Sequence, residues 1–468
     1  MRGISGFRAV PAANRKLLEP LGDAVKGDFS SFNFKPGSNY LSVLKQQGRV
    51  DLDSDWNEQT EIWNERRRQL ICDILGYLAV PLCPNKITAD NSSALRIDNF
   101  SRGPGGIIDF SIGRGIAYVG GYLCLFENEM MLRAQPDCPE PEIPEGTGDI
   151  LVYVEVWNKT ISYIDDEAIR EPALGGPDTC LRLKLVAQVK FKFVSDDIDT
   201  PGKADEYIRD AFSGNDLLLT LKLEETAHQI PISFGEVDMG GGLIPGNLHF
   251  RVELHRGAES NGGYGEGFKW SDENAATVVR VLKVVGNDSL VVEEVEAVTG
   301  ESLKEGDWVE ISNSMTEHHR QGGQMARIGT IRHDETGLRV TLDSEIHPLL
   351  RRIQIGGRSR PKYFLAPRLR RWSGYISPVS TKTVYDLGRG IKATFHDGGK
   401  KQILRPGDYW TFAIRDRAYN RRFAPKKAPP DGVKVYRHPL AIIKLKGKKQ
   451  VSRIIDCRRF FKPMVDFA

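Results

Sequence analysis

In the stretch QQGRVDLDSDWNEQTEIW, Asp51, Asp53 and Asp55 occupy every second position. On an extended chain that spacing brings carboxylates to one side, where two can divide general acid and base work or several can gather on a cation. Each chemistry makes a further demand. A calcium loop of the EF-hand kind starting at Asp51 requires glycine at its sixth position and a carboxylate at its twelfth, and the chain supplies Trp56 and Ile62. A retaining glycosidase pair requires carboxyls about 5 Å apart facing a cleft, and no cleft motif accompanies these. Acids just ahead of a helical pattern serve a simpler purpose. Asp55 is placed to cap the helix, Glu58 three residues on completes a capping box, and the acidic first turn faces the positive helix end.

Other candidates weaken under the same scrutiny. ALGGPDT contains Gly175, Gly176, Pro177, Asp178 and Thr179, but no Lys-Ser or Lys-Thr follows, as a phosphate loop requires. A tight structural turn is expected, with Asp178 and Thr179 bonding the backbone and Arg170 or Arg182 pairing with acids. His318 and His319 are adjacent, so on a strand they point to opposite faces and do not share a metal. The six cysteines form no CxxC pair and fit neither a zinc site nor a disulfide framework. No HExxH or GxSxG occurs. No catalytic residue, metal or cofactor is expected, and the chain reads as a protein that is not an enzyme.

The element behind the acids is a helix expected over about Ser54 to Leu78, stopped by Gly76, Pro81 and Pro84. Trp56, Trp63, Leu70 and Tyr77 recur every seven residues along it, widened by Ile71, Ile74, Leu75 and Leu78. Such an amphipathic helix either folds back on its own domain or anchors to a partner, and these four residues are the docking candidates.

From Ile107 onward, β-branched and aromatic runs broken by glycine pairs and turn residues predict strands and hairpins, with a short helix near Lys203 to Phe212. The expected fold is mainly β and multidomain: a leader (1–25), an extended arm with the amphipathic helix (26–84), a β-rich domain (85–260), a small barrel or sandwich (261–350), and a basic β-rich end (351–468).

With 27% charged and 40% apolar residues, the composition is that of an ordinary globular protein rather than a disordered one. No run nears the roughly 18 apolar residues of a spanning helix, and the first residues lack the apolar block of a signal peptide, so synthesis in the cytosol is expected. The net charge of +3 hides an asymmetry, because residues 351–468 carry about +23 and the rest about −20. That polarity suits head-to-tail contact with copies of itself or with acidic partners. Arg421, Arg422, Lys426, Lys427, Lys446, Lys448 and Lys449 form its clusters, interleaved with aromatics as on a nucleic-acid surface; no nucleic-acid motif accompanies them.

The blocks KGDFSSFNF, QQGRVDLDSDWNEQ, IGRGIAYVGGYLC, IREPALGGPDTCLR, GFKWSDEN, GDYWTFAIR and IIDCRRFF together resemble an uncharacterised bacterial family of β-rich proteins, often encoded near phage tail-like contractile injection systems. The resemblance implies a structural or adaptor subunit at the baseplate periphery or fibre attachment, partnered by other subunits of the assembly and present in several copies. It implies residence in an injection particle, whether cytoplasmic, membrane-associated or released. It carries over no catalytic residue. This chain departs from it at WSDENAA, where Asp272 stands in place of a more usual basic residue and Ala275 in place of a turn glycine. A carbohydrate-binding or carbohydrate-cleaving fibre protein is the second expectation and a nucleic-acid binder the third.

Overall fold

The computed structural model of the protein describes residues 25–84, 87–103, 107–136, 144, 146–174, 178–195, 197–212, 217–223, 248–258, 264–294, 302–318, 322–347, 350, 366–398, 406–414, 424–446 and 450–463. The chain is mainly β, arranged as several sheets and one closed six-stranded barrel.

The first body is built around the strands Asp149–Ile161 and Arg182–Val194, flanked by Tyr436–Lys446 and Gln450–Asp456 in one antiparallel sheet. Alternation along Asp149–Ile161 explains why it is buried on both sides. Ile150, Val152, Val154 and Val156 enter one apolar core, while Leu151 and Tyr153 enter a second core beneath a helix, Pro201–Ala211. That helix starts as its sequence dictates, with Pro201 in the first turn and the Thr200 hydroxyl accepting from the Lys203 amide. Two smaller sheets close the first core: Leu78–Pro81, Gly115–Val119 and Tyr122–Phe126 with Phe460–Phe461, and Ile97–Arg102 with Ile108–Ile112 and Met130–Met131.

The second body is a sandwich. Its larger sheet runs Gly374–Ile376, Tyr264–Ser271, Leu248–Ala258, Tyr409–Ile414, and its smaller one Val384–Asp386, Ile391–Asp397, Leu217–Leu223. Phe250, Phe268, Phe395 and Trp410 fill the space between. The barrel closes in the order Val278–Val285, Ser289–Val292, Gly337–Leu342, Gln324–Asp334, Trp308–Ser312, Arg368–Trp372. Val309, Ile311, Ala326, Ile328 and Leu369 point into it, which turns the alternate residues Trp308, Glu310, Arg327, Arg370 and Trp372 outward. The expected barrel at 261–350 therefore takes its closing strand from beyond residue 350. The described strands between 366 and 463 are distributed likewise, completing both bodies and the barrel.

The expected helix is present as α1, Asp53–Leu75, with two corrections. Its N-cap is Leu52, which offers no side-chain bond, and Asp55 lies inside the first turn, so no capping box forms. Asp53 instead accepts from the backbone amide of Ser30, tying the arm to the helix start. At the other end Gly76, at φ 84°, donates to the Cys72 carbonyl and stops the helix, and Leu78 already opens a strand. The second correction is the helix end, since Tyr77 and Leu78, expected within it, lie beyond Leu75. The buried positions of α1 are Ser54, Ile62, Glu65, Arg68 and Cys72, so its inward side is largely polar and the apolar stripe is not the side that faces the core.

Candidate docking surface

The inward face of α1 is organised by Arg68, whose guanidinium forms two bonds of 3.0 Å to Glu65, one full fork on one carboxylate, and a third of 3.1 Å to the Gly120 carbonyl. It also lies 5.0 Å from the centre of the Tyr436 ring. The seat is a hairpin turn. Gly120 and Gly121 have φ of 59° and 83°, and a Cβ on Gly121 would lie 2.5 Å from the Arg68 carbonyl oxygen and 3.0 Å from the Cys72 sulfur. Backbone and helix thus meet where only glycine fits, and the Glu65–Arg68 fork pairs the two charges that this helix face buries.

Because seven residues advance a helix nearly a whole number of turns, Trp56, Trp63 and Leu70 share one side with Ile74, and that side is the one opposite Ile62, Glu65 and Cys72. Trp56 is 73% exposed, Trp63 65%, Leu70 58% and Ile74 69%. Tyr77, the fourth expected member, lies past the helix end, where its ring stacks on His438 with its centre 5.9 Å away. It remains half exposed.

The arm extends this surface. Asn39, left-handed at φ 54°, reverses the chain after a short turn at Pro36–Ser38. Arg66 then holds the Tyr40 carbonyl at 2.9 Å, and the Gln59 side chain accepts from the Val43 amide at 2.7 Å. Gln59 and Arg66 are the neighbours of Trp63 at four residues before and three after, so the loop they fasten flanks the stripe. It presents Tyr40, Leu41, Leu44, Val50 and Leu52, all exposed. Among the described residues, 18 large hydrophobic side chains are exposed and 10 of them fall between Tyr40 and Tyr77. That density is what marks interaction surfaces, since scattered single exposures are ordinary.

The other expected sites separate. Gly175, Gly176 and Pro177 of the expected turn lie outside the described residues; Asp178 accepts from the Tyr163 amide at 3.0 Å, and Arg170 pairs with Glu167 and Glu293. Arg182 donates to the carbonyls of Cys180 and Leu181 and pairs with no acid among the described residues. Of the basic clusters, Arg421, Arg422, Lys448 and Lys449 lie outside the described residues. Lys426 and Lys427 are exposed beside the strand Leu217–Leu223, whereas Lys446 ends Tyr436–Lys446 in a different sheet. Among the described residues, no group of three or more His, Cys, Asp or Glu is arranged to hold a metal ion, and no helix is long and apolar enough to cross a membrane.

Part of the sequence polarity is internal. Arg368 pairs with Asp165 and Glu317, Arg371 with Glu273, Arg389 with Asp272, Arg437 with Glu155, Lys444 with Asp149 and Arg459 with Asp205. Cations from the last part of the chain neutralise acids from the earlier part within one molecule.

A buried ionic cluster between barrel and sandwich has no counterpart in the sequence reading. Glu310 accepts from Lys269 at 2.7 Å, from the Trp372 indole at 3.0 Å and from the Gly323 amide at 2.8 Å. Glu253 accepts from Arg251 at 2.7 Å and from Lys26 at 2.9 Å, and Lys269 stands 3.3 Å away. Burial alone would raise both carboxyls, but Lys269 and Lys26 outweigh it and hold them well below the usual carboxylate range. Loss of hydration brings Lys26 down to about 8 against the pull of Glu253, and burial beside Lys269 brings His255 down to about 3, so it is neutral. The residues come from the arm and from strands scattered along the chain, and each has an ordinary surface reading when seen alone.

A family of unknown function (DUF6519) matches residues 25–214, which include the arm, α1 and the Gly120–Gly121 seat. No curated protein and no solved structure matches the chain.

Proposed function

We propose that this protein is a docking subunit of a larger assembly, non-enzymatic and joined to a neighbouring subunit through the outward face of α1 and the arm. The observation that carries the reading is the concentration of exposed apolar side chains between Tyr40 and Tyr77, on an arm and on a helix whose opposite face is already seated. The helix is amphipathic toward a partner rather than toward its own core. Tryptophan, tyrosine and arginine are the residue types that dominate binding energy at interfaces, and covering Trp56 and Trp63 fully contributes about 2 to 3 kcal/mol each. Arg67, next to the stripe, bonds only the Asn64 side chain among the described residues. The partner surface is therefore an apolar groove with a carboxylate on its rim opposite Arg67. The resemblance noted above supplies the setting, a phage tail-like injection particle in which this chain sits at the periphery of the baseplate or at a fibre attachment.

Replacing Trp56 and Trp63 by alanine tests the reading. The variant is expected to fold as the parent does, judged by circular dichroism and thermal unfolding, because both indoles face solvent, and to be lost from purified particles. A variant that folds and still co-purifies with the particle in parental amount rules the surface out as the joint. Sedimentation of the isolated parent separately reports whether the neighbour is another copy.

A further inference from the structure

At the edge of the seam between barrel and sandwich lies a half-open cleft of about 320 Å³. Its barrel side is a row of cross-strand partners, Arg327, Trp308 and Trp372, set by the pairing of Trp308 with each of the other two. Lys304 lies on the turn leading into that row, and the sandwich side contributes Asp272, Ser373 and Arg389.

The charges in this cleft do not cancel. Asp272 pairs with Arg389 at 2.6 Å and accepts from the Ser373 hydroxyl at 2.8 Å, while Arg371 is taken by Glu273 at 3.0 Å. Asp307 accepts from the Lys304 backbone amide. The Lys304 ammonium and the Arg327 guanidinium have no carboxylate partner among the described residues. Arg327 is held over the Trp308 ring, 5.1 Å from its centre, which fixes the cation in place without neutralising it. Two free cations against the single carboxylate of Asp307 leave one excess positive charge in a concave site at the junction of two structural units, the location that small-molecule sites favour.

We propose that this cleft is a binding site for one anionic oxygen group, a carboxylate or a phosphate, borne by a small soluble molecule and held between Lys304 and Arg327. The volume is at the lower end of ligand sites, which restricts the occupant to about the size of a monosaccharide acid or a small phosphate ester. Guanidinium and ammonium donors suit both planar and tetrahedral oxyanions. The site uses no residue of the α1 surface, so it stands or falls separately from the docking reading.

The test is titration of the full chain with inorganic phosphate and with glucuronate, followed by ligand-observed NMR. Saturable binding of either probe with Kd of about 1 mM or tighter is expected. Saturation by phosphate alone identifies a tetrahedral group, and by glucuronate alone a carboxylate. Lys304→Ala and Arg327→Ala, both at exposed side chains, are each expected to weaken binding about tenfold or more with thermal unfolding unchanged. Neither probe saturating up to about 10 mM overturns the proposal, as does saturable binding that both variants retain at parental strength.

Discussion

Glu310 shows how a single side chain holds two structural units in register. It sits on the outer wall of the barrel, yet its carboxylate is filled from three directions by Lys269 of the sandwich, the Trp372 indole and the Gly323 amide. A buried ion pair is weak evidence of net stability, because desolvation offsets most of the attraction; removing one partner is a different matter, since the other is left charged and dry. Glu310→Gln keeps the size and one acceptor oxygen but leaves Lys269 only Glu253, which it must share with Arg251 and Lys26. A loss of about 3 kcal/mol at neutral pH is expected in urea unfolding. A loss below about 1 kcal/mol would mean that the cluster tolerates the missing charge and that apolar packing alone holds barrel to sandwich.

At the scale of the element, α1 is two surfaces on one helix, and its inner surface depends on a turn more than forty residues downstream. Gly121 is the position where substitution separates the two, because its φ is 83° and an added methyl meets the backbone of Arg68 at 2.5 Å. Gly121→Ala is expected to cost about 2 kcal/mol or more from the left-handed conformation together with the overlap. Amide hydrogen exchange should rise through Asp53–Leu75 while the buried strand Asp149–Ile161 keeps its protection. Unchanged exchange in α1 would assign its placement to the arm and not to the glycine seat. The helix itself was legible in the sequence, as were its stop at Gly76 and the seven-residue recurrence of its aromatics. Which side faces inward was not. Periodicity locates an apolar stripe but is silent about its neighbour, and here the neighbour of the core is a Glu65–Arg68 fork whose partners, Gly120 and Tyr436, lie far away in the chain. The capping box failed for a related reason: Asp53 bonds Ser30 of the arm, a contact that no local pattern encodes.

For the whole molecule, the strands were legible from their β-branched and aromatic runs, and a small barrel or sandwich from its short runs and turns, but the order of assembly was not, because pairing such as Tyr436–Lys446 with Asp149–Ile161 joins segments nearly three hundred residues apart. The charge asymmetry follows from that topology: a cationic end woven between acidic earlier strands places opposite charges side by side, and the stability this confers depends on pH in two stages. His255 is buried and His438 half-buried, both neutral, with loss of hydration bringing them to about 3 and about 4, below the unfolded value near 6.5. The unfolded chain therefore takes up these protons first, and stability is lost as pH falls from about 6.5. Asp165, which burial would raise, is brought to about 2 by Arg368 and Lys159, and Asp272, Glu253 and Glu310 are also depressed. Their contribution is complete above about 4.5 and is lost as pH falls toward and below 2, by about 2 to 3 kcal/mol for Asp165 once it is fully titrated. Urea midpoints measured from pH 7 down to pH 3 should decline gently at first and steeply below about 4.5. A profile that stays level to pH 3 would show that the paired carboxylates do not stabilise the fold, and that the cations of the last strands serve solubility alone.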